Sequence, residues 1–171
     1  MKIYTNPSQA ELKDLLKRPT FERSGLEAKV QGILDDVKSR GDVALKEYAE
    51  KFDGVVLHDL LVSEEEFEEA NSLVDDELKA AIETAKNNIE KFHSAQKTTS
   101  TKVETSPGVV CWREQRPIEK VGLYIPGGTA PLFSTILMLV VPAKVAGCSE
   151  IVLCTPPNKE GKVHPAILYA A

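Results

Sequence analysis

The stretch VGLYIPGGTAPLFSTILMLVVPAKVAGCSEIVLCT, residues 121–155, decides the fold class of this chain. It opens on a short apolar run, 121–125, of strand length. Dense glycine and proline follow, and then residues 136–146 carry a helical apolar segment with Gly147 in the place where helices commonly end. EIVLCT (150–155) reads as a second strand of the kind buried on both faces, stopped by Pro156 and Pro157. Residues 164–171 begin another helix. Strand, turn, helix, strand, turn, helix is the rhythm of a parallel βαβ sheet. Pro142 falls inside the first helix and is expected to kink it.

Working outward, the preceding hundred residues read as helices. Ser8 with Glu11, Ser24 with Glu27 and Ser63 with Glu66 each fit the capping box, in which two side chains satisfy the free N–H groups of a helix start. Leu26, Val30, Ile33, Leu34 and Val37 recur at helical spacing, as do Ala44, Leu45, Tyr48, Ala49 and Phe52 after an Arg40-Gly41-Asp42 break. Asp53-Gly54 is a turn, and residues 55–62 are expected to form a short strand. The longest helix is expected over 75–96, with Leu78, Ala81, Ile82, Ala85, Ile89 and Phe92 on its packed face. TTST (98–101) is a hinge candidate, Pro107-Gly108 a turn, and 109–113 a β-rich segment. The fold class is therefore α/β: a helical N-terminal half, then the start of an incomplete Rossmann-like parallel sheet. The organisation expected is an N-terminal arm or helix over 1–20, a mainly helical part over 21–101 and a nucleotide-binding start over 102–171.

Composition narrows the function classes. With 42% apolar and 27% charged residues the chain has globular composition, and a net charge of −5 argues against a nucleic-acid partner. The acidic run EEEFEE (64–69) reads as a solvated helix face. No apolar run is long enough to span a bilayer, and the N-terminus lacks the apolar core of a signal peptide. Three cysteines, Cys111, Cys148 and Cys154, lack CxxC spacing and are expected as small core residues in a reducing, cytoplasmic setting. His58, His93 and His164 show no metal-ligand spacing, so no metal residue is assigned.

The turn YIPGGTAPLFST (124–135) stands where ligands settle in open α/β sheets, outside the carboxyl ends of strands. Gly127 and Gly128 would bring backbone close to a ligand and adopt positive φ. The following helix start favours an anion, and Thr129, Ser134 or Thr135 can cap it or donate to a ligand. Tyr124 offers an aromatic face and a hydroxyl. The pattern is neither GxGxxG nor a phosphate-binding GxxxxGK[ST], and Pro126 and Pro131 remove N–H donors. Spacing alone leaves the turn open between a structural corner and one wall of a site.

RPIEKVGLYIPGGTAPLFSTILMLVVPAKVAGCSEIVLCTPP (116–157) closely resembles the signature region of histidinol dehydrogenases. ILDDVKSRGDVALKEYAEKFDG, NIEKFHSAQK and VETSPGVVCWREQRPIE resemble the same family in the same order. The resemblance implies a zinc-dependent, NAD-linked homodimer that oxidises L-histidinol through an aldehyde to L-histidine. Tyr124 matches the tyrosine that contacts NAD, and Gly127 and Gly128 join the cofactor-binding set by adjacency. The family's catalytic Glu-His pair and its zinc ligands lie downstream of the matched region. No residue here is therefore assigned to catalysis or to zinc, and the 171-residue polypeptide is expected to be inactive alone. Two alternatives stand beside this reading: a related dehydrogenase of another secondary alcohol such as a sulfonated diol, and a non-catalytic dimerisation or nucleotide-binding module.

Overall fold

The computed structural model describes residues 3–18, 24–127 and 130–171. It divides into two units, 1–45 and 46–171. The first holds α1 (Gln9–Leu15), α2 (Ser24–Arg40) and the opening of α3 (Asp42–Tyr48), which runs on into the second. The capping box at α1 is complete: the Glu11 carboxylate accepts from the Ser8 N–H at 2.7 Å, and the Ser8 hydroxyl accepts from the Glu11 N–H at 3.3 Å. The Ser24 side chain lies outside the described residues. Gly41, at φ 57°, makes the break between α2 and α3 in a conformation that a side chain resists. The apolar stripe of α2 is less buried than its spacing suggests, since Leu26, Val30 and Leu34 are exposed and only Ile33 and Val37 are half-buried.

In the second unit α3 unwinds into a π-turn, Ala49–Asp53, that stacks Tyr48 on Phe52 and ends at Gly54, φ 71°. The strand expected over 55–62 is absent. A strand needs a ladder partner, and here the backbone is met otherwise: the Val55 N–H reaches the Ala49 carbonyl, and the Lys46 ammonium donates to the His58 carbonyl. Val55 and Leu57 instead pack beside Gly161.

The acidic helix α4 (Glu64–Leu73) has the second complete capping box, Ser63 with Glu66, and an exposed acidic face. Next comes α5 (Asp76–Ser94), started by the Asp75 carboxylate accepting from the Leu78 N–H at 2.7 Å. Its covered stripe is Leu78, Ile82, Ala85, Ile89 and then His93. Phe92, expected on that face, is 65% exposed, and Ala81 is exposed too. Between positions 89 and 93 lies one step of four residues, so His93 rather than Phe92 continues the stripe.

β1 (Val103–Ser106) and β2 (Val109–Cys111) form an antiparallel hairpin around Pro107 and Gly108, with a bulge between Glu104 and Ser106. The βαβ unit follows: β3 (Lys120–Tyr124), α6 (Phe133–Ala146), β4 (Glu150–Cys154) and then α7 (Pro165–Ala170). β3 and β4 pair in parallel, from Lys120 opposite Glu150 to Tyr124 opposite Cys154. Helix α6 packs on α5 and α7, and α4 packs on α7. Pro142 removes one N–H from α6, yet the helix continues past it to Gly147, whose φ of 93° supplies the left-handed stop. His164 caps α7, its ring Nδ1 accepting from the Ala166 N–H at 3.1 Å.

Ile125 and Ile136, both 0% exposed, form the core with Ile167, and Leu132, Val140, Leu153, Val163 and Ala170 pack around them. One face of the strand pair is covered by these groups. The other is open, so β4 is not buried on both faces: Ile151 and Leu153 are half-buried, whereas Val152 is 52% exposed. The same alternation corrects the cysteines. Cys154 follows Val152 onto the open face, Cys111 lies on an exposed hairpin and Cys148 is half-buried, so none is a core residue. All are free thiols.

Candidate functional site at the carboxyl ends of the strands

Parallel pairing brings the ends of β3 and β4 side by side, and the chain leaving each strand forms one edge of the candidate site. Tyr124 closes β3 on the open face of the pair, where its side chain is 62% exposed. The next residue turns the other way. Ile125 is fully buried, and its N–H donates to the Cys154 carbonyl at 2.8 Å, extending the ladder by one bond. An exposed aromatic ring beside a buried isoleucine, on backbone tied to β4, offers an apolar face suited to a flat ring.

Gly127 is reached two residues later. It does not adopt the positive φ expected of it. What requires glycine is space: a Cβ built there would meet Pro156 Cγ at 2.6 Å, well inside the 3.0 Å below which real Cβ atoms essentially never approach. The turn after β3 therefore lies directly on the proline that follows β4. Sequence reading took Pro156 only as the stop of a strand. The signal was present, because in a βαβ unit the two strand ends must be neighbours and a glycine and a proline there can interlock. Gly128 and Thr129, both named from the sequence, lie outside the described residues.

Helix α6 has Leu132 at its N-cap position, and among the described residues no side chain caps it. Ser134 and Thr135, candidates for that role, lie within the first turn instead, where the Thr135 N–H bonds to the Leu132 carbonyl at 3.0 Å. A helix start without a side-chain cap leaves N–H groups for solvent or an anion. Tyr124, Gly127 and this helix start are the described parts of the candidate site, and they offer an aromatic face and backbone N–H groups. Among the described residues, no group of three His, Cys, Asp or Glu side chains lies together in a way that would hold a metal ion. No helix among the described residues is long and apolar enough to cross a membrane.

A sequence profile described as histidinol dehydrogenase matches residues 16–171, nearly the whole chain. This chain belongs to the histidinol dehydrogenase family. It is 56% identical to the histidinol dehydrogenase of Bacteroides thetaiotaomicron over all 171 residues, which make up 40% of that protein. To the Escherichia coli K12 enzyme it is 51% identical over 160 residues, 36% of that chain. The crystal structure of histidinol dehydrogenase from Elizabethkingia anophelis superposes with a TM-score of 0.91 at 51% identity, covering 98% of this chain and 39% of the other. The chain thus spans about two fifths of the length of the histidinol dehydrogenases it matches. The α/β reading, with a Rossmann-like βαβ unit after a helical half, agrees with this neighbour.

Proposed function

We propose that these residues form the N-terminal part of an NAD-linked histidinol dehydrogenase, a cytoplasmic homodimer that oxidises L-histidinol to L-histidine. The observation that carries the reading is 56% identity, without a gap in coverage, to a histidinol dehydrogenase along the whole chain. Tyr124, Gly127 and Gly128 are assigned to the cofactor side. The exposed Tyr124 ring at a parallel strand end supports that assignment, because it offers a stacking face where open α/β sheets bind ligands. NAD, when bound, supplies the hydride acceptor. The part of this chain is to bind and orient: Tyr124 stacks, Ile125 anchors the ring's backbone in the core, and the turn at Gly127 sets how near the ligand comes. Acid/base and zinc roles are assigned to the portion of the relatives beyond the matched region. The free thiols are consistent with a reducing compartment.

The test is a chimera in which these 171 residues replace the matched part of the Bacteroides thetaiotaomicron enzyme. NAD reduction with L-histidinol is expected from the chimera and not from the 171-residue chain alone. Tyr124→Ala is expected to raise KM for NAD. A folded chimera that reduces no NAD with L-histidinol, or a Tyr124→Ala variant with unchanged KM, refutes the corresponding part of the reading.

A further inference from the structure

The geometry points to Pro156 as a positioning residue for the cofactor-side turn, acting through Gly127. This rests on the assignment of that turn to NAD. Three features converge. Paired strands bring the two chain exits together, with Tyr124 opposite Cys154. The Ile125 N–H to Cys154 carbonyl bond fixes the first residue after β3 against the last residue of β4. From there the Pro156 ring fills the space above Gly127: its Cγ lies 2.6 Å, its Cβ 3.7 Å and its Cδ 3.8 Å from where a Cβ of residue 127 would sit. Proline has a fixed φ and a rigid ring, so it makes a firmer stop than a flexible side chain that swings aside. The path of the backbone at 126–127 is thus set by the exit of the other strand. Glycine at 127 serves contact with Pro156, not a left-handed turn.

This arrangement makes an asymmetric prediction. Gly127→Ala forces the turn off the ring and changes the path of the backbone beside Tyr124. Pro156→Ala removes Cγ, the atom in conflict, and leaves Cβ at 3.7 Å, an ordinary contact. The second substitution should therefore rescue the first. In the chimera, Gly127→Ala is expected to raise KM for NAD about tenfold, within the range of coupled contacts, with kcat changed by less than about twofold because no reacting group moves. Gly127→Ala/Pro156→Ala is expected to return KM to the value of Pro156→Ala alone. Melting temperatures of the same four forms of the chimera should show the same rescue. If Gly127→Ala costs the same with and without Pro156, the inference is overturned. It is also overturned if Pro156→Ala restores the melting temperature of Gly127→Ala but leaves its KM unmoved, since the contact is then packing alone. In both cases loss of NAD affinity in Tyr124→Ala would leave the cofactor reading standing. If Tyr124→Ala too leaves KM unchanged, reading and inference fall together.

Discussion

Ile125→Ala is the most informative single stability test, because this residue joins the candidate site to the core. Its side chain is 0% exposed and packs with Ile136 and Ile167. Truncation to alanine removes three buried carbons, and the transfer term alone is about 2.4 kcal/mol. A cavity term adds to this, up to about 5 kcal/mol in total where the surroundings cannot collapse. Here Leu132, Val140, Leu153, Val163 and Ala170 are only partly buried and have room to move inward, which places the expected loss near 3 kcal/mol. For a chain of this size that is a fall of roughly 6–12 °C in Tm. Ile125→Val, one methylene smaller, should cost about 1 kcal/mol. Leu61→Ala, at a side chain 87% exposed, should stay within about 0.5 kcal/mol. Urea unfolding followed by circular dichroism measures all three, with the midpoint moving and the slope constant. A loss below about 1 kcal/mol for Ile125→Ala, or an equal loss for Leu61→Ala, would refute the placement of Ile125 at the centre of the core.

Two further outcomes are expected. Ser63→Ala breaks the capping box at α4, where the Ser63 hydroxyl accepts from the Glu66 N–H at 3.3 Å, and should cost about 1 kcal/mol in the same unfolding assay. The Ser8 backbone N–H, and after it the Ser8 hydroxyl, donate to the Glu11 carboxylate and hold its pKa below the ordinary value of 4.5. Because the folded-state pKa is the lower one, the stabilisation is present above the unfolded value and is lost as pH falls through the folded pKa. A carboxylate NMR titration should show Glu11 titrating at lower pH than in Ser8→Ala, and equal midpoints would remove the cap.

Much of the fold was legible because its signals are local. Ser8 with Glu11 and Ser63 with Glu66 mark helix starts whatever lies around them, and Gly147 marks a stop. The βαβ unit was legible because apolar runs of strand and helix length alternate between 121 and 171. Failures arose where burial depends on partners far along the chain. Val152 and Cys154 belong to an apolar strand, but only one face of that strand is covered. Residues 55–62 have strand composition, but the π-turn and the segment at Gly161 take up the place of a ladder. At the candidate site, Tyr124 was named from its place at a strand end and from resemblance. Pro156 was not, because its meaning lies in a contact across the pair, with a residue 29 positions earlier in the chain.

The bond from the Ile125 N–H to the Cys154 carbonyl also bears on how the protein breathes. Segments that carry ligands are ordinarily drawn from the parts of a native structure that open most easily. Here the first amide beyond β3 can be released only by lifting a fully buried isoleucine out of the core. Its deuterium uptake should therefore be governed by global unfolding, and it should be among the last amides to exchange, although it adjoins an exposed tyrosine. The edge proposed to face the ligand and the part of the fold expected to be most protected meet at a single peptide unit.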